Sequence, residues 1–566
     1  MRRTLLFSVI ALLAFAVYGN TLSGGFLGDD YSLLALFHQS TTEAQTESPQ
    51  WEVVEAAFVQ KVPEAQVPKY YRPLWFLSLY LDARLFGTWS PGFRIHNLLL
   101  FALSAFFLAG FVEALTGRRF AAIAAALLFV VFPTNYASVQ WIADRTGQLA
   151  VCFSTASLWL FVLYLRGARP RHGVLAFLTC LLALLSKETA LILFPLLLVL
   201  GIVLVAQKDS RQRSRLWWSL LPVLLLAWFV WRHHILGTWL GGARDPGHYT
   251  LLDMAWNQFG VALSLLVPIR WPDMGPGFFW PFVLLFSTLI GVGLYLGRRA
   301  APWLLFFLLW FVLSLLPNAL DSSLPGSQRN LRFTFPSALP FVVLVILALQ
   351  AWCARWSSRL PWLRKALVGG LLLGSLGLLI HNRRSWVEAG RSSPEIVDRV
   401  LTLARTGSDK GVLVYGLPAW HGNAPLMLNA FPFLLRRPFL AQPRRPFLAY
   451  ADGDLGQLGL LRDAPHFLRG GSYSALRWDP RRQALIPAAL PRYEERRGRL
   501  VRGPEGGLFL EPLSPAASPQ AGGRKLRERF SRQPLRDLVG VPVQIRGLSV
   551  QTERGAELLI AELRRP

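Results

Sequence analysis

Cysteine, acidic side chains and lysine are all scarce in this 566-residue chain. Its three cysteines, Cys152, Cys180 and Cys353, lie in or beside apolar runs, which excludes a disulfide scaffold and any cysteine metal-ligand spacing. Charged residues make up only 16% of the sequence, and 33 acidic against 59 basic residues leave a formal charge of +26. That excess forms no continuous stripe. Much of it sits in short loops between apolar runs, which speaks for lipid headgroups and membrane orientation and against nucleic acid. No internal repeat and no heptad period is present, so solenoid and coiled-coil architectures are excluded as well. The apolar stretch from Leu5 to Tyr18 is followed by no persuasive small-residue cleavage site, and a retained first helix is expected there.

What the chain has in abundance is hydrophobic residues, 53% of the total, in runs long enough to span a bilayer. The runs fall at 4–20, 96–115, 120–138, 147–165, 172–186, 189–206, 216–232, 279–297, 301–318, 334–351 and 366–381. A polytopic α-helical membrane protein with about 11 transmembrane helices is therefore expected. Alternate loops carry Arg118-Arg119, Arg166 with Arg169 and Arg171, Lys208 to Arg215, Arg298-Arg299, and Arg355 to Lys365. The intervening turns hold mixed charges such as Asp144-Arg145 and Lys187-Glu188. The positive-inside rule then puts the N-terminus in the cytoplasm and the C-terminus outside.

Four regions follow from this reading: a membrane core over 1–384, a first extracytoplasmic loop over 21–95, a second over 233–278, and a C-terminal extracytoplasmic domain over 385–566. Short runs such as Gly411 to Tyr415 and Val541 to Ile545, set between Pro, Gly and Arg clusters, read as strands of an α/β or mostly β soluble domain. Pro542 within the second run suits an edge strand. The long loops contain amphipathic pieces and the interfacial anchors Trp75, Tyr80 and Trp89, so the protein is expected to work at one leaflet.

The mixed-charge turns carry the chemistry. Asp29-Asp30 follows Gly-Gly-Phe-Leu-Gly where the first helix ends; adjacent carboxylates point differently and need separate partners. One can serve as a base while the other holds a cation, or the pair can simply begin the next helix. Arg72-Pro73 places a guanidinium, suited to bidentate phosphate binding, before a helix that accepts proline in its first turn. His96-Asn97 stands where the second span begins, and His96 could meet a phosphate or orient a carboxylate. Asp144-Arg145 reads either as an ion pair closing a helical hairpin or as an arm of a phosphate or sugar pocket. Lys187-Glu188 has barely any loop around it, and such charges need partners or a polar cavity. Arg329 and Arg332 are three apart, close enough to share a helical face.

Together these groups suit a reaction between a phosphate-bearing lipid and a second substrate. A carboxylate takes the proton of an acceptor hydroxyl as it attacks an anomeric carbon, and cationic side chains stabilise the departing lipid phosphate. A single displacement of this kind inverts the anomeric centre, by analogy with inverting glycosidases.

The ordered set Gly28-Asp29-Asp30, Tyr71-Arg72-Pro73-Leu74, Gly92 to Asn97, Pro133 to Arg145, Ser186-Lys187-Glu188-Thr189 and Arg329-Asn330-Leu331-Arg332-Phe333 resembles the GT-C superfamily. These are glycosyltransferases that use polyprenyl- or dolichyl-phosphate sugars, and the resemblance is to their protein O-mannosyltransferase and transmembrane-TPR O-mannosyltransferase branch. It implies a GT-C-like core over about residues 1–380. It also implies that Asp29, with Asp30 as its rival, is the catalytic or acceptor-positioning carboxylate, and that Arg72, Lys187 and Arg332 contact the donor phosphate. Two departures stand out. Where TPR-bearing relatives have a His-Pro-x-His-Thr-Glu run, this chain reads Phe132-Pro133-Thr134-Asn135-Tyr136-Ala137, and its tail lacks a TPR pattern.

The expected partners are a polyprenyl-phosphate-sugar donor, membrane lipids, and an extracytoplasmic glycan, lipid or protein acceptor, in a bacterial inner membrane. No metal site is expected, and a divalent-metal requirement is left open. A lipid-diphosphate-dependent glycan ligase or polymerase, or a non-enzymatic lipid or glycan transporter, would share the same charge pattern.

Overall fold

The computed structural model describes residues 3–38, 47–59, 70–167, 169–207, 211–239, 250–268, 276–297, 302–318, 331–354, 362–406, 412–415, 417–427, 430–441, 446–449, 474–479, 482, 484–488, 492–502, 508–512, 524–527, 542–552 and 555–564. The chain divides into two compact units. The first comprises Met1–Gly24, Pro49–Glu388 and Gly422–Ala424; the second comprises Gly25–Ser48, Ala389–His421 and Pro425–Pro566.

The helices are, in chain order, α1 (Arg3–Tyr18), α2 (Asp30–Phe37), α3 (Trp51–Val59), α4 (Pro73–Phe86), α5 (Ser90–Thr116), α6 (Arg119–Val130), α7 (Tyr136–Gln140), α8 (Arg145–Leu165), α9 (Arg171–Ser186), α10 (Leu193–Gln207), α11 (Arg211–Leu236), α12 (Leu251–Leu266), α13 (Pro276–Gly297), α14 (Pro302–Leu315), α15 (Phe335–Ala354), α16 (Leu363–Asn382), α17 (Arg384–Thr406) and α18 (Phe431–Leu434). Each apolar run picked out in the sequence falls largely on one of them, except that at 120–138, which divides between α6 and α7. The run at 120–138 is shorter than expected, because its helix ends at Val130. Pro133 lacks an N–H and would clash one turn back, so the chain breaks and resumes as α7. Among the described residues, six stretches are long and apolar enough to cross a membrane: Arg3–Thr21, Ser90–Thr116, Ile142–Leu165, Phe279–Gly297, Leu331–Ala354 and Leu363–Arg405.

α5 and α8 form the centre of the first unit and run in the same direction. Arg145 at the start of α8 meets Asn97 near the start of α5, Trp159 lies against Gly110, and Arg166 reaches the Leu115 carbonyl. A Cβ at Gly110 would come within 2.6 Å of the Trp159 ring, so glycine is what allows the two helices this approach. The rise from Asn97 to Leu115 is about 27 Å at 1.5 Å per residue, close to a hydrocarbon thickness of about 30 Å. This geometry sorts the charges. Arg3 stacks on Trp159, Arg166 caps α5, and Arg364 lies over Phe120, so the arginines of several basic loops gather at one end. Arg94, Asn97 and Arg145 lie at the other.

In the second unit, Gly28 adopts φ 52°, a left-handed turn, directly before the α2 start. Its strands are β1 (Val412–Tyr415), β2 (Trp420–His421), β3 (Ala424–Pro425), β4 (Pro446–Ala449), β5 (Ser474–Asp479), β6 (Ala484–Ala488), β7 (Arg492–Arg502), β8 (Leu508–Pro512), β9 (Arg524–Arg527), β10 (Pro542–Thr552) and β11 (Gly555–Arg564), with Ala424 of β3 assigned to the first unit. β1 lies between β4 and β5 in parallel pairing, and β6 pairs antiparallel with β5. β10, β11, β9, β8 and β7 close into a barrel. Pro542 therefore does not mark an edge strand. It occupies the first position of β10, which pairs with β7 on one side and β11 on the other, and the first residue of a strand tolerates a missing N–H.

Candidate active site

The site is built on four turns of the first unit: the entry to α4, the α7–α8 connection, the α9–α10 connection, and the turn that leads into α15. α4 begins with proline, whose fixed φ suits the first helical turn, and this sets Arg72 at the N-cap position. From there the guanidinium forms a fork with Glu188, Nε donating to Oε2 at 2.9 Å and Nη2 donating to Oε1. Its other face lies 3.8 Å from the Tyr70 ring centroid. Arg72 is thus bidentate, as its position suggested, but within the protein its partner is a carboxylate.

Lys187 follows the last residue of α9 in extended backbone, and Glu188 opens a 3₁₀ turn that leads into α10. The change of backbone sends the two neighbours to different partners. Glu188 meets Arg72, and Lys187 Nζ lies 3.7 Å from Asp144 Oδ1. Lys187 and Asp144 are both buried, at 7% and 3% exposure, and their separation is that of an ion pair too long for a hydrogen bond. Burial pushes the Lys187 ammonium below the ordinary lysine range; Asp144 opposes this, and Arg72 and Arg332 add to it.

Asp144 and Arg145, read from the sequence as a possible ion pair closing a hairpin, do not pair with each other. Asp144 ends a 3₁₀ turn and Arg145 begins α8, and their side chains diverge to Lys187 and Asp82. Arg145 is fully buried and richly bound. Its Nη1 meets Asp82 Oδ2 and donates to Ser78 Oγ at 3.2 Å, Nε donates to Asn97 Oδ1 at 2.7 Å, and Nη2 donates to the Phe93 carbonyl at 2.8 Å. Asp82 also meets His96 Nδ1 at 2.9 Å, so His96 does sit beside a carboxylate. Asn97 Nδ2 donates to the Val139 carbonyl at 3.3 Å, which ties α5 to α7.

Arg332 stands in a 3₁₀ turn, Leu331–Thr334, ahead of α15. Its guanidinium lies 4.2 Å from the Trp141 ring centroid and 5.2 Å from that of Phe333, and Lys187 Nζ is 5.8 Å from the same Phe333 ring. Ser138 Oγ donates to the Arg332 carbonyl at 3.3 Å, which joins this turn to α7. Arg72, Asp144, Lys187, Glu188 and Arg332 are therefore brought together beside the rings of Tyr70, Trp141 and Phe333. Arg329 lies outside the described residues.

Asp29 and Asp30 belong to the second unit. Asp30 is fully buried at the start of α2, and its Oδ2 accepts from the Leu27 N–H at 3.0 Å. Asp29 takes the N-cap position, half-buried, with no side-chain cap hydrogen bond; its carbonyl accepts from Ser32 Oγ at 2.8 Å. The two carboxylates thus have separate surroundings.

Reading the sequence missed Asp82, Tyr70 and Trp141 as parts of this arrangement. Asp82 lies inside the apolar-looking helix Pro73–Phe86, and a lone acid in such a helix is itself a signal of a buried partner. Tyr70 lies against the arginine two residues after it, whereas Trp141, next to the Asp144-Arg145 turn in sequence, meets Arg332 only through tertiary packing. Among the described residues, no group of three or more His, Cys, Asp or Glu is gathered that could hold a metal ion.

Residues 71–233 match the family model described as dolichyl-phosphate-mannose-protein mannosyltransferase. A segment of 206 residues is 28% identical to the protein O-mannosyl-transferase Tmtc1 of Drosophila melanogaster; it makes up 36% of this chain and spans 23% of that relative's length. Among solved structures, ArnT from Cupriavidus metallidurans, bound to undecaprenyl phosphate, is similar with a TM-score of 0.45 and 15% identity, over 85% of this chain and 93% of that one. The archaeal oligosaccharyltransferase AglB from Archaeoglobus fulgidus is similar with a TM-score of 0.43 and 11% identity, over 92% and 75%. The stretch that holds Arg72, His96, Asn97, Asp144, Arg145, Lys187 and Glu188 therefore lies within the match to the dolichyl-phosphate-mannose-protein mannosyltransferase model, in agreement with the GT-C resemblance of the sequence.

Proposed function

We propose that the protein is a polytopic membrane glycosyltransferase, with about 11 spans by the length a bilayer demands, that transfers a sugar from a polyprenyl-phosphate donor to an acceptor hydroxyl on the extracytoplasmic face. The acceptor class is a glycan, lipid or protein. The observation that carries this reading is the cluster of Arg72, Lys187 and Arg332 with Asp144 and Glu188 in a family segment whose description names a lipid-phosphate sugar.

Two acids, Asp144 and Glu188, leave the three cations with a net positive charge, suited to a phosphate diester as it becomes a monoester leaving group. The Asp29-Asp30 motif supplies the carboxylate base. In the transfer, the acceptor oxygen forms a bond to the anomeric carbon and its proton passes to that carboxylate. The bond from the anomeric carbon to the phosphate oxygen breaks, and its electron pair stays on the phosphate. One displacement inverts the centre. The gathering of basic loops at the opposite end of α5 and α8 supports a cytoplasmic N-terminus, and the chain from about residue 385 onward is then an extracytoplasmic domain.

The test is transfer from synthetic undecaprenyl-phosphate-mannose and undecaprenyl-diphosphate-mannose by the full chain in nanodiscs, with endogenous membrane extract as acceptor source. Labelled product from the monophosphate is expected. Turnover from the diphosphate alone would replace this reading with that of a glycan ligase, and vectorial flux without a covalent product would replace it with a transporter.

A further inference from the structure

Two groups at the start of α8 have hydrogen-bonding capacity that the described fold does not use. Asp144 Oδ2 and Gln148 Oε1 are buried and find no hydrogen-bond partner among the described residues. Asp144 is 3% exposed and Gln148 is fully buried. The orientation of the Gln148 amide is fixed by its surroundings: one end lies 2.6 Å from the Ser138 carbonyl, an acceptor, so the nitrogen must face it and the oxygen is turned away. Asp144 and Gln148 are four apart across the first turn of α8, the spacing that puts two side chains on one face. Lys187 Nζ completes the set, ion-paired with Asp144 at 3.7 Å.

Gly147 lies between them. A Cβ there would stand 3.4 Å from Asp144 Oδ2, 3.5 Å from Oδ1 and 3.6 Å from Lys187 Nζ, so the glycine keeps open a space bounded by the carboxylate and the ammonium.

Buried acceptors left unmade cost about 1–3 kcal/mol each, more for a charged group, and two of them four residues apart suit a ligand that brings donors. The chemistry of that ligand follows from the kind of atom left over. A carboxylate oxygen and an amide oxygen both need donors, and both repel a phosphate. An array of hydroxyl groups supplies donors, and its own oxygens can accept from Lys187. We propose that Asp144 and Gln148, with the space at Gly147, form a hydroxyl-reading subsite for the sugar of the donor, adjoining the phosphate-holding cations at Lys187, and that Gln148 is a residue that determines which sugar is taken. The inference rests on the transferase reading above, which assigns no role to Gln148 or Gly147.

The test is binding of two lipids to the full chain in nanodiscs: undecaprenyl phosphate and undecaprenyl-phosphate-mannose. The wild type should bind the mannosyl lipid more tightly. Gln148→Met preserves side-chain volume and removes the amide; it should cost the mannosyl lipid at least about tenfold in affinity, the effect of one unmade hydrogen bond, and leave the bare lipid phosphate unchanged. Gly147→Ala adds only a methyl at ordinary contact distance, so it folds, and it should weaken the mannosyl lipid selectively by narrowing the space; it decides the matter should the Met variant fail to fold. Parallel losses for both lipids, or none for either variant, would overturn the subsite while leaving the transferase reading intact. A wild type that binds neither lipid would overturn both.

Discussion

Asp144 and Arg145 are neighbours in sequence and opposites in environment. Arg145 has every side-chain nitrogen in contact with an acceptor: Asp82, Ser78, Asn97 and the Phe93 carbonyl surround it at zero exposure. Asp144 faces a lysine across 3.7 Å with one carboxylate oxygen unpartnered among the described residues. A buried charge with all its hydrogen bonds made holds helices together; a buried charge with capacity left over is placed for something that arrives later. The adjacent pair Asp29-Asp30 shows a related division. Asp30 is buried and accepts from the Leu27 N–H, whereas Asp29 is half-buried and gives the helix no side-chain cap. In the first pair Arg145 is built into the fold and Asp144 is the better candidate for chemistry; in the second Asp30 is tied to the Leu27 N–H, and Asp29 is the carboxylate that the GT-C resemblance favours.

The sharpest way to break this comparison is to remove the saturated member. Arg145→Met would leave Asp82 charged and buried with only His96 beside it, and breaking a buried pair in this way costs about 3–5 kcal/mol. Thermal unfolding of the purified variant should show a large loss of stability, or the protein should fail to accumulate in the membrane. A variant that melts with the wild type and loses only activity would mean that Arg145 serves the substrate and not the fold.

The second pair gives a smaller structural effect and a clear split between readouts. Asp29→Asn should lower transfer by about a hundredfold or more, as loss of a general base does, with little change in melting. Asp30→Asn keeps an oxygen for the Leu27 N–H and should retain most activity, with stability reduced by about 1 kcal/mol as a charge-assisted bond becomes a neutral one. Reversal of the two activities would make Asp30 the base.

Much of this arrangement is legible in the sequence. Runs of apolar residues mark the helices because a bilayer leaves the backbone no partners but its own, so length and hydropathy suffice. The proline after Arg72 and the glycine before Asp29 likewise declare their turns. Pairing was not legible. Lys187 and Glu188 read as adjacent opposite charges, yet the extended backbone at Lys187 and the 3₁₀ turn after it separate them, and each finds its counter-ion more than forty residues away. Asp82 was overlooked for the same reason: its two partners lie on α5 and α8, and only the parallel packing of those helices assembles them.

The smallest expected effect concerns the charge state of the open pair. Burial depresses the pKa of Lys187, so its ammonium is lost at a lower pH than that of a free lysine, and Arg72 and Arg332 push in the same direction. If the cation supports the departing phosphate, transfer should fall as pH rises through that depressed value, because the neutral amine no longer offsets the developing charge. An arginine at this position does not deprotonate in the accessible range. Lys187→Arg should therefore work more slowly at neutral pH, since a larger planar group must fit beside Asp144, while its alkaline decline moves to higher pH. The measurement is kcat/KM for the mannosyl lipid from pH 6 to 10 in both proteins. Superimposable alkaline limbs would show that Lys187 is not the titrating group, and would place it with Arg145 among the charges that serve the fold.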